Sequence, residues 1–473
     1  MKQKVQQLVR NPLILLLIAW YAFTWSWAFL TDSLDLAGSK PQAMAIATLV
    51  VIFNVAISTT IVVYWFKFLH KRFKGYNPWL VVVLGLPLFA LMEFAVSWLT
   101  TIIWIGPQGS VDNVLPLSSP TLLLINTPLG FAARIVGFYG LSAFFWLTIF
   151  LLLDKRRRLY ALVPVGALVV VSLVGWQMYK TPNGEEVKAT IISENLDSRV
   201  GIMQDRSSKL VVFPEYGLDD ISNDNLKDRI KRDDGSAKTY FLGSQQVRDG
   251  RPAGHLNVLL FGNSEDGITK EQEKYRLIPG GEDLAFVVRT LLRATNQRGT
   301  LDYFSYAKMV NKGPHPLQPL RVDDTTLLGS AVCSSIIAPK DYQTFANQGA
   351  TLFTNSASLT IFRGSRVFAW QQKSLARFMA VSNSRYFLQS ANAATAYMLD
   401  NNGKQLAEVR GVEAKDVIAK NNTKKTPYSL VGEALVAAGL LIVAAWLIAL
   451  LIDRNKKQKG HKSKKPRPKT SKK

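Results

Sequence analysis

Two kinds of hydrophobic pattern alternate along this chain. Up to about residue 180, and again near residue 440, apolar residues come in unbroken runs. In between they come in short bursts separated by polar turns. The runs cover about residues 12–30, 43–69, 78–105, 131–153 and 159–179, with a sixth from about 429 to 452. Each holds enough consecutive apolar residues to cross a bilayer as a helix. None carries the polar stripe of an amphipathic core helix. The first run is followed by only a weak small-residue cleavage signal (TDSLDLAGSK), and further runs follow, so it reads as a retained span.

The middle of the chain reads differently. EVKATIISE, KLVVFPEYG, TYFLGSQQ, HLNVLLFGNSEDG, TTLLGSAVC and ATLFTNSAS have strand character. RYFLQSANAATAYMLDNNGKQLAEV reads as a hairpin turning at Asn-Asn-Gly. Helical patterns fall at about 284–295, 339–348 and 366–382. Strands alternating with helices predict an α/β layered domain. The expected division is 1–183 membrane helices, 184–425 a globular domain, 426–452 a final span and 453–473 a basic tail.

Charge adds an orientation. The net charge is +23, and eleven Lys or Arg against one acidic residue lie between Asp453 and Lys473. Lys2, Lys4 and Arg10 precede the first run. Lys67, Lys71, Arg72 and Lys74 follow the second, and Lys155, Arg156, Arg157 and Arg158 separate the fourth from the fifth. Loops 31–42 and 106–130 are nearly free of basic residues. Basic clusters at every second boundary place both termini in the cytoplasm and the 184–425 domain outside. The tail reads as a solvated segment next to a membrane, suited to anionic lipid headgroups rather than to nucleic acid. Glu93 is a charge inside a run, hence a functional suspect or a bundle-lining group with a polar partner. Arg134 lies close to a boundary and is expected to snorkel.

Candidate chemistry sits in the globular part. Cys333 is the only cysteine, so no disulfide can form within the chain. It follows an apolar strand pattern, as Glu215 does, and reactive side chains collect at strand ends in layered α/β domains. Lys274 opens KYRLIPGGE. A carboxylate, an amine and a thiol are the parts of a thiol acyl-transfer site. Lys274 is expected to favour the thiolate, Glu215 to act as general base, and Lys274 with the Ser334 N–H to hold an oxyanion. Each residue alone carries little information; a lone buried cysteine is more often inert packing. With four His scattered and no zinc spacing, neither a metal nor a cofactor is expected.

Together these motifs resemble the carbon–nitrogen hydrolase (nitrilase) superfamily, whose triad runs Glu, Lys, Cys in this order. FPEYG is similar to its Pro-Glu motif. KYRLIPGGE is similar to the Lys-x-x-Leu-x-Pro-x-Gly-Glu motif of its membrane-bound branch, the apolipoprotein N-acyltransferases. AVCSSIIAP takes the nucleophile position, while LFTNSASL and WQQKSLARF resemble two downstream segments. IVGFYGLSAFFWL resembles a Gly-x-Tyr-Gly-Leu-Ser segment of the membrane part. The resemblance implies an α-helical membrane bundle plus a nitrilase-like four-layer αββα sandwich. It implies Glu215, Lys274 and Cys333 as catalytic residues, with Glu282, Ser334 and Asn355 supporting. It further implies a multi-pass protein of the bacterial cytoplasmic membrane. Its activity would be transfer of a fatty acyl chain from a phospholipid, through a cysteine thioester, to the N-terminal amine of a diacylglyceryl-cysteine lipoprotein. A membrane-tethered amidase and a non-catalytic lipid- or lipoprotein-binding descendant stay open beside it. The chain departs from the pattern at Ser334 and Ser335, where the family has Tyr-Glu, and at Ser356, where it has Asp. The segment between EVKATIISE and FPEYG is short enough to lack a helix. DLAFVVRTLL (Asp283 to Leu292) reads as a lid dipping into lipid or as an ordinary amphipathic helix.

Overall fold

The computed structural model describes residues 12–31, 40–105, 114–195, 198, 200, 207–219, 223–230, 238–248, 254–278, 282–307, 310–314 and 317–462. Lys2, Lys4 and Arg10, and the tail beyond residue 462, lie outside these. Among the described residues six helical segments are long and apolar enough to cross a membrane: Pro12–Leu30, Ala43–Arg72, Pro78–Ile103, Pro128–Leu153, Arg158–Tyr179 and Ala434–Arg454. The helices carrying them are α1 (Pro12–Trp25), α2 (Lys40–Arg72), α3 (Pro78–Ile105), α4 (Ala133–Leu153), α5 (Leu162–Tyr179) and α12 (Ala434–Lys462). Two of the basic boundaries, after α2 and between α4 and α5, meet at one end of the bundle. There the Arg72 guanidinium lies 4.8 Å from the Trp446 ring, and Arg157 Nη2 donates to Phe73 O at 2.6 Å.

Some buried polar groups of the bundle are paired, as a medium without water favours, while the hydroxyls of Tyr21, Ser58 and Thr59 have no partner among the described residues. Glu93 accepts a hydrogen bond from Trp146 Nε1 at 2.7 Å and another from Ser119, so it lines the bundle beside polar partners. Helix α4 is broken at Gly137 (φ 75°, ψ −167°). The N–H groups of Phe138 and Tyr139 therefore start a new helical segment without partners in it. The Glu433 carboxylate, just ahead of α12, accepts both, at 2.8 and 3.0 Å. A Cβ at Gly137 would lie 2.8 Å from Glu433 Oε2 and from Tyr428 Cδ2. Gly137→Ala should therefore cost about 1–3 kcal/mol, through the backbone and the displaced cap. Thermal unfolding in detergent measures it; an unchanged midpoint would mean the cap is dispensable.

Arg134 does not snorkel. It is fully buried and donates to Val381 O (3.1 Å), Gly175 O (3.0 Å), Asn401 O (2.6 Å) and Asn402 Oδ1 (3.0 Å). The bundle continues into the globular domain at this point. The guanidinium fork answers carbonyls at the ends of two helices, where a cation is favoured.

Among the described residues the globular domain has thirteen strands. One half runs β5 (Gly267–Glu273), β4 (His255–Asn263), β3 (Tyr240–Arg248), β2 (Leu210–Val212), β1 (Glu186–Glu194), β13 (Glu413–Lys420). The other runs β12 (Gln405–Val409), β11 (Ala396–Leu399), β10 (Phe387–Asn392), β9 (Leu352–Ser358), β8 (Leu327–Val332), β7 (Leu320–Arg321). They join where Ser193 and Glu194 register with Ala391 and Asn392. A short β6 (Val310–Asn311) adds to β4.

Alternation along the strands sorts the apolar residues into layers. Val187, Ala189, Val212, Leu328, Leu352 and Leu388 pack between the two halves. Val211, Phe213 and Phe241 face outward onto Leu226 and Ile230 of α6 (Asn223–Ile230). Phe353 and Phe387 face the other way, onto α9 (Pro339–Asn347) and α10 (Arg366–Asn383). The result is a four-layer αββα sandwich beside a helical bundle. The second helical layer shares one apolar cluster with α3 and α4, since Phe345 and Phe378 belong to the same cluster as Phe89 and Phe138.

Several elements differ from expectation. The 385–409 segment is two successive hairpins, β10–β11 and β11–β12, not one. No helix occurs among the described residues between β1 and β2. The lid segment is α7 (Phe286–Ala294), which has no fully buried residue and packs against α3, with α8 (Arg298–Ala307) after it. A short α11 (Pro427–Val431) leads into α12.

Candidate active site

Strands β1, β2, β3, β8, β9 and β10 run parallel, and β5, antiparallel to β4, shares their direction. Their C-terminal ends therefore form one rim, where crevices open in layered α/β sheets. Glu215 follows β2, Lys274 follows β5 and Cys333 follows β8. The first two come from one half of the sandwich and the third from the other. Backbone bonds close the seam: Glu215 N donates to Ala357 O (3.2 Å), and Asn392 Nδ2 donates to Glu215 O (3.2 Å).

The thiol is presented by a sharp corner. Cys333 has φ 43°, in the left-handed region, between β8 and the 3₁₀ turn Cys333–Ile337. That conformation is costly for a residue with a Cβ and is kept where surrounding structure enforces it. Sγ donates to Ser358 O at 3.3 Å. The Ser334 N–H stands in the first turn of the 3₁₀ segment, where N–H groups lack partners within the helix. The Ser334 hydroxyl donates to Arg276 O. Arg276 in turn grips Asp341 with two hydrogen bonds, one from Nη2 at 2.6 Å. This buried pair locks the strand end carrying Lys274 against the corner carrying Cys333.

Lys274 lies between two carboxylates. Its Nζ is 2.9 Å from Glu215 Oε1 and 2.6 Å from Glu282 Oε1. Glu282 Oε2 accepts the Ile278 N–H at 3.1 Å. Asn257, on β4, donates to Glu215 Oε1 at 2.7 Å and reaches Glu282 Oε1 at 3.5 Å. Nothing in the sequence singles Asn257 out, since an amide inside an apolar strand carries no motif. Asn355 stands apart: its side chain meets Tyr342 (3.4 Å) and Gln389 (3.4 Å), behind β9.

Burial pushes Glu215 up; the Lys274 ammonium opposes this and Glu282 adds to it. Burial also works against the Lys274 ammonium, but Glu215 and Glu282 outweigh it and hold the amine protonated. Cys333 departs from expectation. Burial pushes its thiol well up, Glu215 adds to that, and Lys274 does not compensate. With two carboxylates sharing one ammonium, a thiolate would be a second uncompensated charge. The resting site therefore holds a neutral thiol beside a carboxylate that burial has made more basic. The acid limb of the kcat/KM profile should lie above 4.5, the ordinary carboxylate value, because Glu215 must be ionised. A limb at or below that value would count against Glu215 as the base.

The rim borders the bundle's apolar cluster. Ile278, Ile336, Ile337, Leu359 and Phe362 belong to it. Trp27, on the turn after α1, packs against Phe362 (5.6 Å) and Phe368 (5.4 Å).

No family model and no curated protein matches the chain. Among solved structures it is similar to an amidase from Nesterenkonia sp., at 13% identity and TM-score 0.36, over 55% of this chain and 97% of that one. It is similar to a carbon–nitrogen hydrolase from Helicobacter pylori, at 12% identity and TM-score 0.37, over 50% of this chain and 89% of that one. A third is a branch 10 member of the nitrilase superfamily from Saccharomyces cerevisiae, at 14% identity and TM-score 0.36, over 50% of this chain and 91% of that one.

Proposed function

We propose that the protein is a membrane acyltransferase that carries a fatty acyl chain on Cys333 from a phospholipid to the N-terminal amine of a diacylglyceryl-cysteine lipoprotein. One observation carries the chemistry: Lys274 bridges Glu215 and Glu282 at the rim where Cys333 also ends its strand, within electrostatic reach of the thiol. In the first half-reaction Glu215 takes the thiol proton and the sulfur attacks the ester carbonyl. Lys274 and the Ser334 N–H hold the oxyanion. The C–O bond breaks, Glu215 returns the proton to the departing alcohol, and a thioester and a lysophospholipid remain. In the second, the amine attacks the thioester and gives a proton to Glu215. The C–S bond breaks, and the sulfur recovers the proton.

Two features support lipid substrates. The rim adjoins an apolar cluster shared with the bundle, and six helices are apolar enough to span a bilayer. The basic end of the bundle supports a cytoplasmic face there, with the sandwich outside and the tail over anionic headgroups. The departures at Ser334, Ser335 and Ser356 bear on which acceptor and donor are used rather than on the cysteine chemistry.

The test uses the full chain in detergent with a fluorescent phospholipid and a diacylated lipopeptide. The expected products are an N-acylated peptide and, without peptide, a protein heavier by one acyl group at Cys333. Free fatty acid as sole product would make the protein a hydrolase, and no acylation of any kind would make it a binding protein.

A further inference from the structure

Strand β4 sends Leu259 and Phe261 into the packing between the two halves of the sandwich. Asn257 lies two residues before Leu259, so it belongs to the same face, and it is fully buried. A leucine there would complete the apolar face, so packing alone does not require an amide.

Its contacts supply the reason. The Asn257 backbone O accepts the Lys274 N–H at 2.7 Å. Its side-chain Nδ2 donates to Glu215 Oε1 at 2.7 Å and reaches Glu282 Oε1 at 3.5 Å. Turning the amide over would set Oδ1 against two carboxylates, so charge fixes its orientation. That orientation leaves Oδ1 buried with no donor among the described residues. An unmet buried acceptor is destabilising, and such groups persist where function holds them.

The general base is thereby gripped by one oxygen. Glu215 Oε1 receives Asn257 Nδ2 at 2.7 Å and Lys274 Nζ at 2.9 Å. Neither donor bonds Oε2, nor does any other N–H among the described residues. An oxygen that already accepts from two donors has little capacity left for a proton, while its twin keeps its lone pairs. The two donors come from different strand positions, β4 and the end of β5, so together they set the plane of the carboxylate. We propose that Asn257 is a positioning residue for the general base: with Lys274 it occupies Glu215 Oε1 and so makes Oε2 the oxygen that exchanges the proton. This rests on the acyl-transfer reading above.

Asn257→Leu keeps the volume and removes the donor. The titratable groups facing Glu215 are Lys274, Glu282, Cys333 and Tyr216, and none of them is altered. Losing a hydrogen bond to its ionised form makes a carboxyl more basic, so the acid limb of the rate profile should move to higher pH. The full chain in detergent would be acylated by a p-nitrophenyl acyl ester at a series of pH values. The expected limb lies about one pH unit above that of the unaltered protein. On the plateau the rate should fall roughly tenfold, because the carboxylate is free to turn. Asn257→Ala leaves room for a water that can donate in the amide's place, so its limb should lie between the other two. If the leucine variant does not fold, the alanine variant decides alone, by a limb above that of the unaltered protein. A limb that stays put or moves down overturns the proposal, whatever the rate does, since a purely structural residue changes rate or melting point without changing where the base ionises. If the unaltered protein is not acylated at Cys333, the acyl-transfer reading itself falls. That outcome is distinct from an acylated protein whose variants keep its limb.

Discussion

Cys333→Ala should lower acyl transfer by at least about a thousandfold and leave the protein folded. The sulfur is the atom on which the thioester would form, and no second cysteine can replace it. The substitution removes one buried atom and its 3.3 Å hydrogen bond to Ser358 O. Alanine tolerates φ 43° no worse than cysteine does, so the loss in stability should be about 1 kcal/mol. Intact-protein mass after incubation with phospholipid should show the acyl adduct in the unaltered chain and none in the variant. Transfer persisting within tenfold would exclude a covalent route, because residual binding and oxyanion stabilisation cannot stand in for the nucleophile.

Lys274→Met should fail in two ways at once. The ammonium is fully buried between Glu215 and Glu282, at 2.9 and 2.6 Å. Without it, two carboxylates face one another with only Asn257 between them. Breaking a buried ion pair from one side costs about 3–5 kcal/mol, because the partner charge is left uncompensated. One carboxyl would take up a proton to relieve the repulsion. Protonation of Glu215 would remove the base, and the oxyanion would lose its cation, so turnover should fall by at least about a thousandfold. Arginine should not rescue it, since a planar fork cannot occupy a site shaped for a compact ammonium. Thermal unfolding in detergent reads the first effect and acyl transfer the second. A stable but inactive variant would place Lys274 in the chemistry alone; an unstable variant with full residual activity would place it in the architecture alone.

Those two residues were legible because each belongs to a dense local pattern. Lys274 and Glu282 share one short motif, and Cys333 ends an apolar run. The six apolar helices were legible for the same reason, since length and unbroken hydrophobicity are local properties. Other features depend on partners distant in sequence. Asn257 matters because Glu215 lies across the sheet, and Arg134 because helix α10 ends beside it. β5 and β13 carry GITKEQE and EAKDVIAK, whose charges mask strand periodicity because both strands have a largely exposed face. The rise of the Cys333 pKa was also hidden. Sequence shows one lysine near one thiol, while the fold brings two carboxylates to the same ammonium.

The route by which the sandwich closes has a bearing on biosynthesis. β1, the first strand made, takes β13 along its length as an antiparallel partner, and β13 is the last strand of the domain. Glu433, which caps the interrupted helix α4, arrives later still. A growing polypeptide thus has an open edge on β1 and an uncapped membrane helix until residues beyond 433 have emerged. The two halves that carry Glu215 and Cys333 meet at the C-terminal end of β1. Cys333 is therefore held beside Glu215 by a domain that closes only when its last strand has been made, and a ribosome stalled earlier would leave the thiol on an unfinished sheet.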